Sequence, residues 1–135
     1  MHIQTVVARD NGELTPVLRE NMFRLRHRTF RERLKWELPE GGEAGIERDQ
    51  YDGADPVYVV VAGEGEEVFG CCRLLPTMGS YMLPELWPEL LDGQAAPASQ
   101  SVWELSRFAV EPPGGGLAQA GRLTARLMLG AFRYA

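Results

Sequence analysis

Six charged residues sit in or beside apolar segments of this 135-residue chain: Arg26, Asp49, Asp52, Arg73, Glu104 and Arg107, three of each sign. Glu104 and Arg107 are the sharpest case, because SVWELSRFAV (101–110) otherwise reads as a strand made for burial. A buried charge is costly unless it is paired or engaged with a ligand. A carboxylate in such a place is a candidate general base for an ammonium group, and an arginine can fork onto a carboxylate. Two readings are open: the six neutralise one another as a structural network, or they converge on a charged substrate. Glu104 and Arg107 are an odd number of residues apart and would face opposite sides of a regular strand. A shared pocket therefore requires a β-bulge between them, or roles on different walls.

The elements that must position these residues follow from pattern. HIQTVVA opens with a short strand, and Thr15 caps a helix whose first turn holds Pro16, where the missing N–H does no harm. That helix is predicted over Pro16 to Lys35, with an apolar stripe through Leu18, Met22, Phe30 and Leu34 widened by Phe23 and Leu25. Arg26 lies inside the stripe. ELPEGGEAGIERDQYDGADP (37–56) has no sustained period and reads as a long loop. VYVVVA and EEVFGCCRLLP flank GEGE and form an antiparallel hairpin that carries Arg73. LPELWPELLDG is a short helix interrupted at Pro88, EPPGGG ends the strand after Val110, and a last helix places Leu123, Leu127, Ala131 and Tyr134 on one face. This order predicts an α/β (α+β layered) fold, a mixed, mainly antiparallel sheet flanked by helices.

Composition narrows the function classes. A net charge of −5 argues against nucleic acid as the main partner. Charge is unevenly spread: seven of the fourteen basic residues lie between Arg19 and Lys35, whereas Glu37 to Asp55 holds seven acids against Arg48 alone. No apolar run approaches the roughly 20 residues of a membrane span, and MHIQTVVARD lacks the pattern of a signal peptide. A cytoplasmic location is expected. Cys71 and Cys72 are adjacent in a strand and point to opposite faces, so they read as apolar fillers rather than a disulfide or metal site. No metal site is predicted, because DQYDGAD lacks the ligand register of a calcium loop.

Five segments, FRLRHRTFRERLKW, ERDQYD, VFGCCRLLPT, YMLPELWPELL and SVWELSRFAV, together resemble the acyl-homoserine-lactone synthases, the autoinducer synthases of bacterial quorum sensing. The likeness covers about Met22 to Val110, in the family's order. It implies that Arg26, Phe30, Trp36, Asp49, Asp52, Arg73, Glu104 and Arg107 occupy the family's near-invariant places, and that the fold is like that of GCN5-related N-acetyltransferases. Trp87 stands where the family usually has phenylalanine. The implied activity joins S-adenosylmethionine to an acyl thioester, carried on acyl carrier protein or coenzyme A, and then closes the lactone. S-adenosylmethionine enters as a substrate, and no tightly bound cofactor is implied. Glu104 is the expected base and Arg107 its catalytic neighbour. Arg26 joins Arg107 on the substrate carboxylate, Asp49, Asp52 and Arg73 shape the pocket, Phe30 and Trp36 wall it, and Trp103, beside Glu104, is a further substrate-binding candidate. Residues 1–135 are expected to form a single synthase-like domain without its carboxy-terminal part, since the family's members continue further. The alternatives are another coenzyme A-dependent N-acyltransferase of the same fold, or a binding domain without catalysis.

Overall fold

Val57–Gly63 is buried at every position, which a strand achieves only when both faces of its sheet are covered. The computed structural model describes residues 2–9, 13–37 and 44–135, so the part of the predicted loop at 38–43 lies outside the described residues. Strand β1 (Ile3–Arg9) is followed by helix α1 (Pro16–Arg26), a π-helical segment (His27–Arg33) and a 3-10 turn (Gln50–Gly53). Strands β2 (Val57–Gly63) and β3 (Val68–Pro76) come next, then the short helix α2 (Met82–Leu86) and a second 3-10 turn (Pro88–Leu91). Strand β4 (Trp103–Val110) and helix α3 (Leu117–Tyr134) complete the order. Among the described residues the sheet runs β1-β2-β3-β4 with every neighbouring pair antiparallel, so the mixed sheet expected from sequence is here wholly antiparallel.

Alternation along β2 divides the core. Tyr58, Val60 and Ala62 pack with Leu18, Met22, Phe23 and Leu25 of α1, whereas Val57, Val59 and Val61 pack with Leu123, Leu127 and Ala131 of α3. Cys71 joins the α1 side and Cys72 the α3 side, and burial pushes both thiols up to about 12. Both are inert fillers at neutral pH.

The amphipathic stripe starts as expected, with Thr15 accepting from the Leu18 N–H at 3.2 Å and Pro16 at the start of α1. It does not continue as an α-helix to Lys35. From His27 the turns widen, and the Leu34 N–H reaches back to the Thr29 carbonyl at 2.9 Å. Thr29 and Phe30 of the widened segment are buried, and Leu34 is half exposed. Lys35 adopts a left-handed backbone (φ 55°), and the Trp36 N–H then meets the Phe30 carbonyl at 2.7 Å. This reversal lays the Trp36 indole on the Phe30 ring, with centroids 4.7 Å apart.

Gly130 sets how closely α3 approaches the sheet, since a Cβ there would lie 2.9 Å from Val59 Cγ1 and 3.5 Å from Thr5 Cγ2. Gly130→Ala should gain about 1 kcal/mol of helix propensity and lose about 1–3 kcal/mol to overpacking. The expected outcome is a lower thermal midpoint, measured by circular dichroism; a raised midpoint would show that α3 can lift from β2 without loss.

Candidate active site

An irregularity that brings Glu104 and Arg107 to one side is present, but it falls at Arg107 itself, and the ladder from Trp103 to Ser106 is regular. Cys71 pairs with Ala109 but Arg73 pairs with Ser106, so Cys72 faces both Arg107 and Phe108, and Arg107 takes a left-handed φ of 52°. The extra residue turns Arg107 to the side that Glu104 and Ser106 already face, while Trp103 and Phe108 pack with the α3-side core. A left-handed backbone at a non-glycine residue costs about 1–2 kcal/mol. Arg107 offsets this by donating from Nε to Glu47 Oε1 (2.9 Å) and from Nη2 to Asp49 Oδ2 (3.0 Å). Its guanidinium also lies 5.6 Å from the centroids of both Phe30 and Trp36.

These bonds belong to a closed ring of six alternating charges. Arg26 donates to Glu47 (Nε, 2.8 Å) and forks onto Asp52 (2.8 and 3.0 Å). Arg73 forks onto Asp49 (2.6 and 3.2 Å), stands 3.2 Å from Asp52 Oδ1 and donates to Ser106 Oγ at 3.1 Å. Arg107 closes the circuit between Glu47 and Asp49, so that each carboxylate bridges two arginines. Asp49 and Asp52 also cap the first 3-10 turn reciprocally: the Tyr51 N–H donates to Asp49, and the Asp49 N–H to Asp52. Burial disfavours ionised Asp52, but the Arg26 guanidinium, Arg73 and the Tyr58 hydroxyl together outweigh it and hold the carboxyl far below its ordinary range. Burial likewise works against charged Arg26, and Asp52 and Glu47 override it.

Beside the ring opens a cavity of about 670 Å³, lined by Trp36, Asp49, Tyr51, Met82, Glu104 and Arg107, with Glu37, Leu86 and Trp87 at its rim. The Asp49–Arg107 pair is neutral, which leaves Glu37 and Glu104 as a negative excess on an aromatic wall. Glu104 accepts from the Met82 and Leu83 N–H groups, each at 2.9 Å, and so holds the first turn of α2 against β4.

Of the residues singled out in the sequence, Trp36, Asp49, Glu104 and Arg107 stand on the cavity wall. Arg26, Asp52 and Arg73 do not. Arg26 is 1% exposed with every guanidinium nitrogen engaged, so its expected reach to a substrate carboxylate is corrected to a place in the ring. Arg73 is 0% exposed, and Phe30 supports Trp36 from behind. Trp103, expected among the substrate-binding residues, lies on the far face against Tyr134, because alternation along β4 turns it away from Glu104. The third acid of the ring is Glu47, not Glu104. It stands first in ERDQYD, and its place in that motif, two residues before Asp49, was the signal available.

The chain matches the model of the autoinducer synthase family over residues 12–135. It belongs to that family. An acyl-homoserine-lactone synthase of Aliivibrio fischeri (strain ATCC 700601 / ES114) is 48% identical over 86 residues, 64% of this chain and 44% of that protein. The crystal structure of the AHL synthase LasI superposes with a TM-score of 0.84 at 36% identity, over 98% of this chain and 66% of that one. The CoA-dependent acyl-homoserine lactone synthase BjaI, solved with SAM and isopentyl-CoA, gives a TM-score of 0.69 at 34% identity, over 81% of this chain and 51% of BjaI. The chain thus spans about half the length of the curated relatives it matches. An acyl-CoA N-acyltransferase from Pseudomonas aeruginosa shares the fold, with a TM-score of 0.57 at 14% identity.

Removing one partner of a buried ring leaves an uncompensated charge, so Arg26→Met should destabilise the chain by about 3–5 kcal/mol in urea unfolding. The folded pKa of Asp52 is depressed, so its contribution to stability is complete above the ordinary value of 3.8 and is lost as the pH falls from there toward the depressed one. Urea midpoints measured between pH 7 and pH 3 should therefore drop on the acid side, and Asp52→Asn should start lower and flatten the curve. Parallel curves would show that Asp52 does not carry the effect.

Proposed function

We propose that the cavity binds S-adenosylmethionine and that the protein makes an acyl-homoserine lactone from it and an acyl thioester. The observation that carries this reading is the wall itself: aromatic faces from Trp36 and Tyr51 combined with the acid excess of Glu37 and Glu104 beside one arginine, Arg107. A ligand bearing ammonium and sulfonium charges with a single carboxylate has the complementary pattern. BjaI, a relative of the same fold, was solved with SAM and with isopentyl-CoA. The acyl donor by this reading is a thioester of coenzyme A or of acyl carrier protein.

Two bonds form in this reaction. The substrate ammonium gives its proton to Glu104, whose carboxylate is aimed by the Met82 and Leu83 amides, and the free amine attacks the thioester carbon. The C–S bond of the thioester breaks, and the thiolate departs to take up a proton. A carboxylate oxygen, oriented by Arg107, then attacks the γ-carbon. The electron pair of the broken carbon–sulfur bond goes to the sulfonium, which leaves as neutral methylthioadenosine.

Glu104→Gln should slow single-turnover amide formation by about 10²–10⁴-fold at neutral pH, with partial recovery as the pH rises and free amine forms unaided. Wild-type rates from the variant would move the base elsewhere. Trp36→Ala should raise the Kd for S-adenosylmethionine about 2- to 30-fold in calorimetry, the range of a cation–π wall. Wild-type protein that binds neither S-adenosylmethionine nor methylthioadenosine would overturn the substrate reading.

A further inference from the structure

Helix α2 has five residues, too few to stand as an isolated helix, yet it carries part of the cavity wall. Its first turn is held twice. Glu104 accepts from the Met82 and Leu83 N–H groups, and Arg73 Nη2 approaches Met82 Sδ at 3.4 Å. Its far end, which leads to Leu86 and Trp87 on the cavity rim, is held differently. Glu85 there accepts from the Tyr51 hydroxyl at 3.0 Å with one oxygen and from the Ser80 hydroxyl with the other. Tyr51 is a firm anchor, because its side chain is buried and its backbone N–H is bound by Asp49, a member of the charge ring.

Glu85 is exposed and Leu86 and Trp87 are 44% exposed, so little apolar contact keeps this end of α2 in place. We propose that Glu85, acting through Tyr51, is a positioning residue that latches the Leu86–Trp87 wall over the cavity and sets how fast a bound ligand leaves. The ligand assignment rests on the substrate reading above; the latch itself does not. A hydrogen bond to a charged acceptor of this kind corresponds to about a tenfold change in an opening equilibrium. Because the latch acts on the wall and not on the charges facing the ligand, its effect falls on dissociation more than on association.

The test uses the full chain with S-adenosylmethionine as the probe, read by stopped-flow tryptophan fluorescence, and amide hydrogen exchange at Leu86 and Trp87 without ligand. Tyr51→Phe should speed dissociation and exchange about tenfold, Glu85→Ala, which also frees the Ser80 hydroxyl, at least as much, and the double variant should match Glu85→Ala, which already lacks the bond that Tyr51→Phe removes. Glu85→Gln keeps an oxygen for Tyr51 but loses the charge, and should fall between wild type and Glu85→Ala. Dissociation and exchange at wild-type rates in Glu85→Ala, or a fully additive double variant, would overturn the latch. If the wild type binds no S-adenosylmethionine, the substrate reading falls and exchange alone decides: faster exchange in Glu85→Ala retains the latch, and unchanged exchange removes it.

Discussion

Arg26, Glu47, Arg107, Asp49, Arg73 and Asp52 close a buried ring of alternating charge between segments far apart in the chain. Its members come from α1, the segment before the first 3-10 turn, that turn itself, β3 and β4, so its closure ties these parts together at one point. Burying three guanidinium groups is tolerable only because three carboxylates meet them with forked or bridging geometry. Such a ring is weak evidence of extra stability over an apolar core. What it supplies is definition: the register of the Asp49–Asp52 turn and the aim of Arg107 each satisfy two partners at once.

The ring also explains why a strained residue persists in β4. Arg107 has a left-handed backbone within a strand, and its side chain makes two charged hydrogen bonds and lies over two aromatic rings. Those rings are in place because the helix after α1 widens and Lys35 reverses the chain, bringing Trp36 onto Phe30. Two local departures from regular structure, in different parts of the chain, thus meet at one side chain. Arg107 is the ring's arginine on the cavity wall, where a structural charge network becomes available to a ligand.

Glu104 connects this scaffold to the cavity's cover. Both of its oxygens accept from the first turn of α2, so the carboxylate is oriented before any ligand arrives. Each oxygen has a second lone pair, so the same group can hold a helix end and still face the cavity. The sequence grouped Glu104 with the buried charges; the structure separates it from them, with the ring complete through Glu47.

Legible from the residues alone were the order of strands and helices, the cap at Thr15, the β2–β3 hairpin, the helix broken at Pro88 and the need for a bulge to bring Glu104 and Arg107 to one side, which falls at Arg107. These are local matters of period, parity and turn chemistry, and they are legible because each depends on neighbours in the chain. The six charges were legible as a group needing partners, and of the residues singled out with them Trp36, Asp49, Glu104 and Arg107 line one cavity. Which charges pair, that Glu47 is the third acid, and that Arg26 and Arg73 stand behind the wall emerged from the folded chain. So did the facing of Trp103 toward α3 and the reach of Tyr51 to Glu85. The physical reason is that pairing among buried charges is set by distances of about 3 Å between segments far apart in sequence, and composition carries no information about those distances.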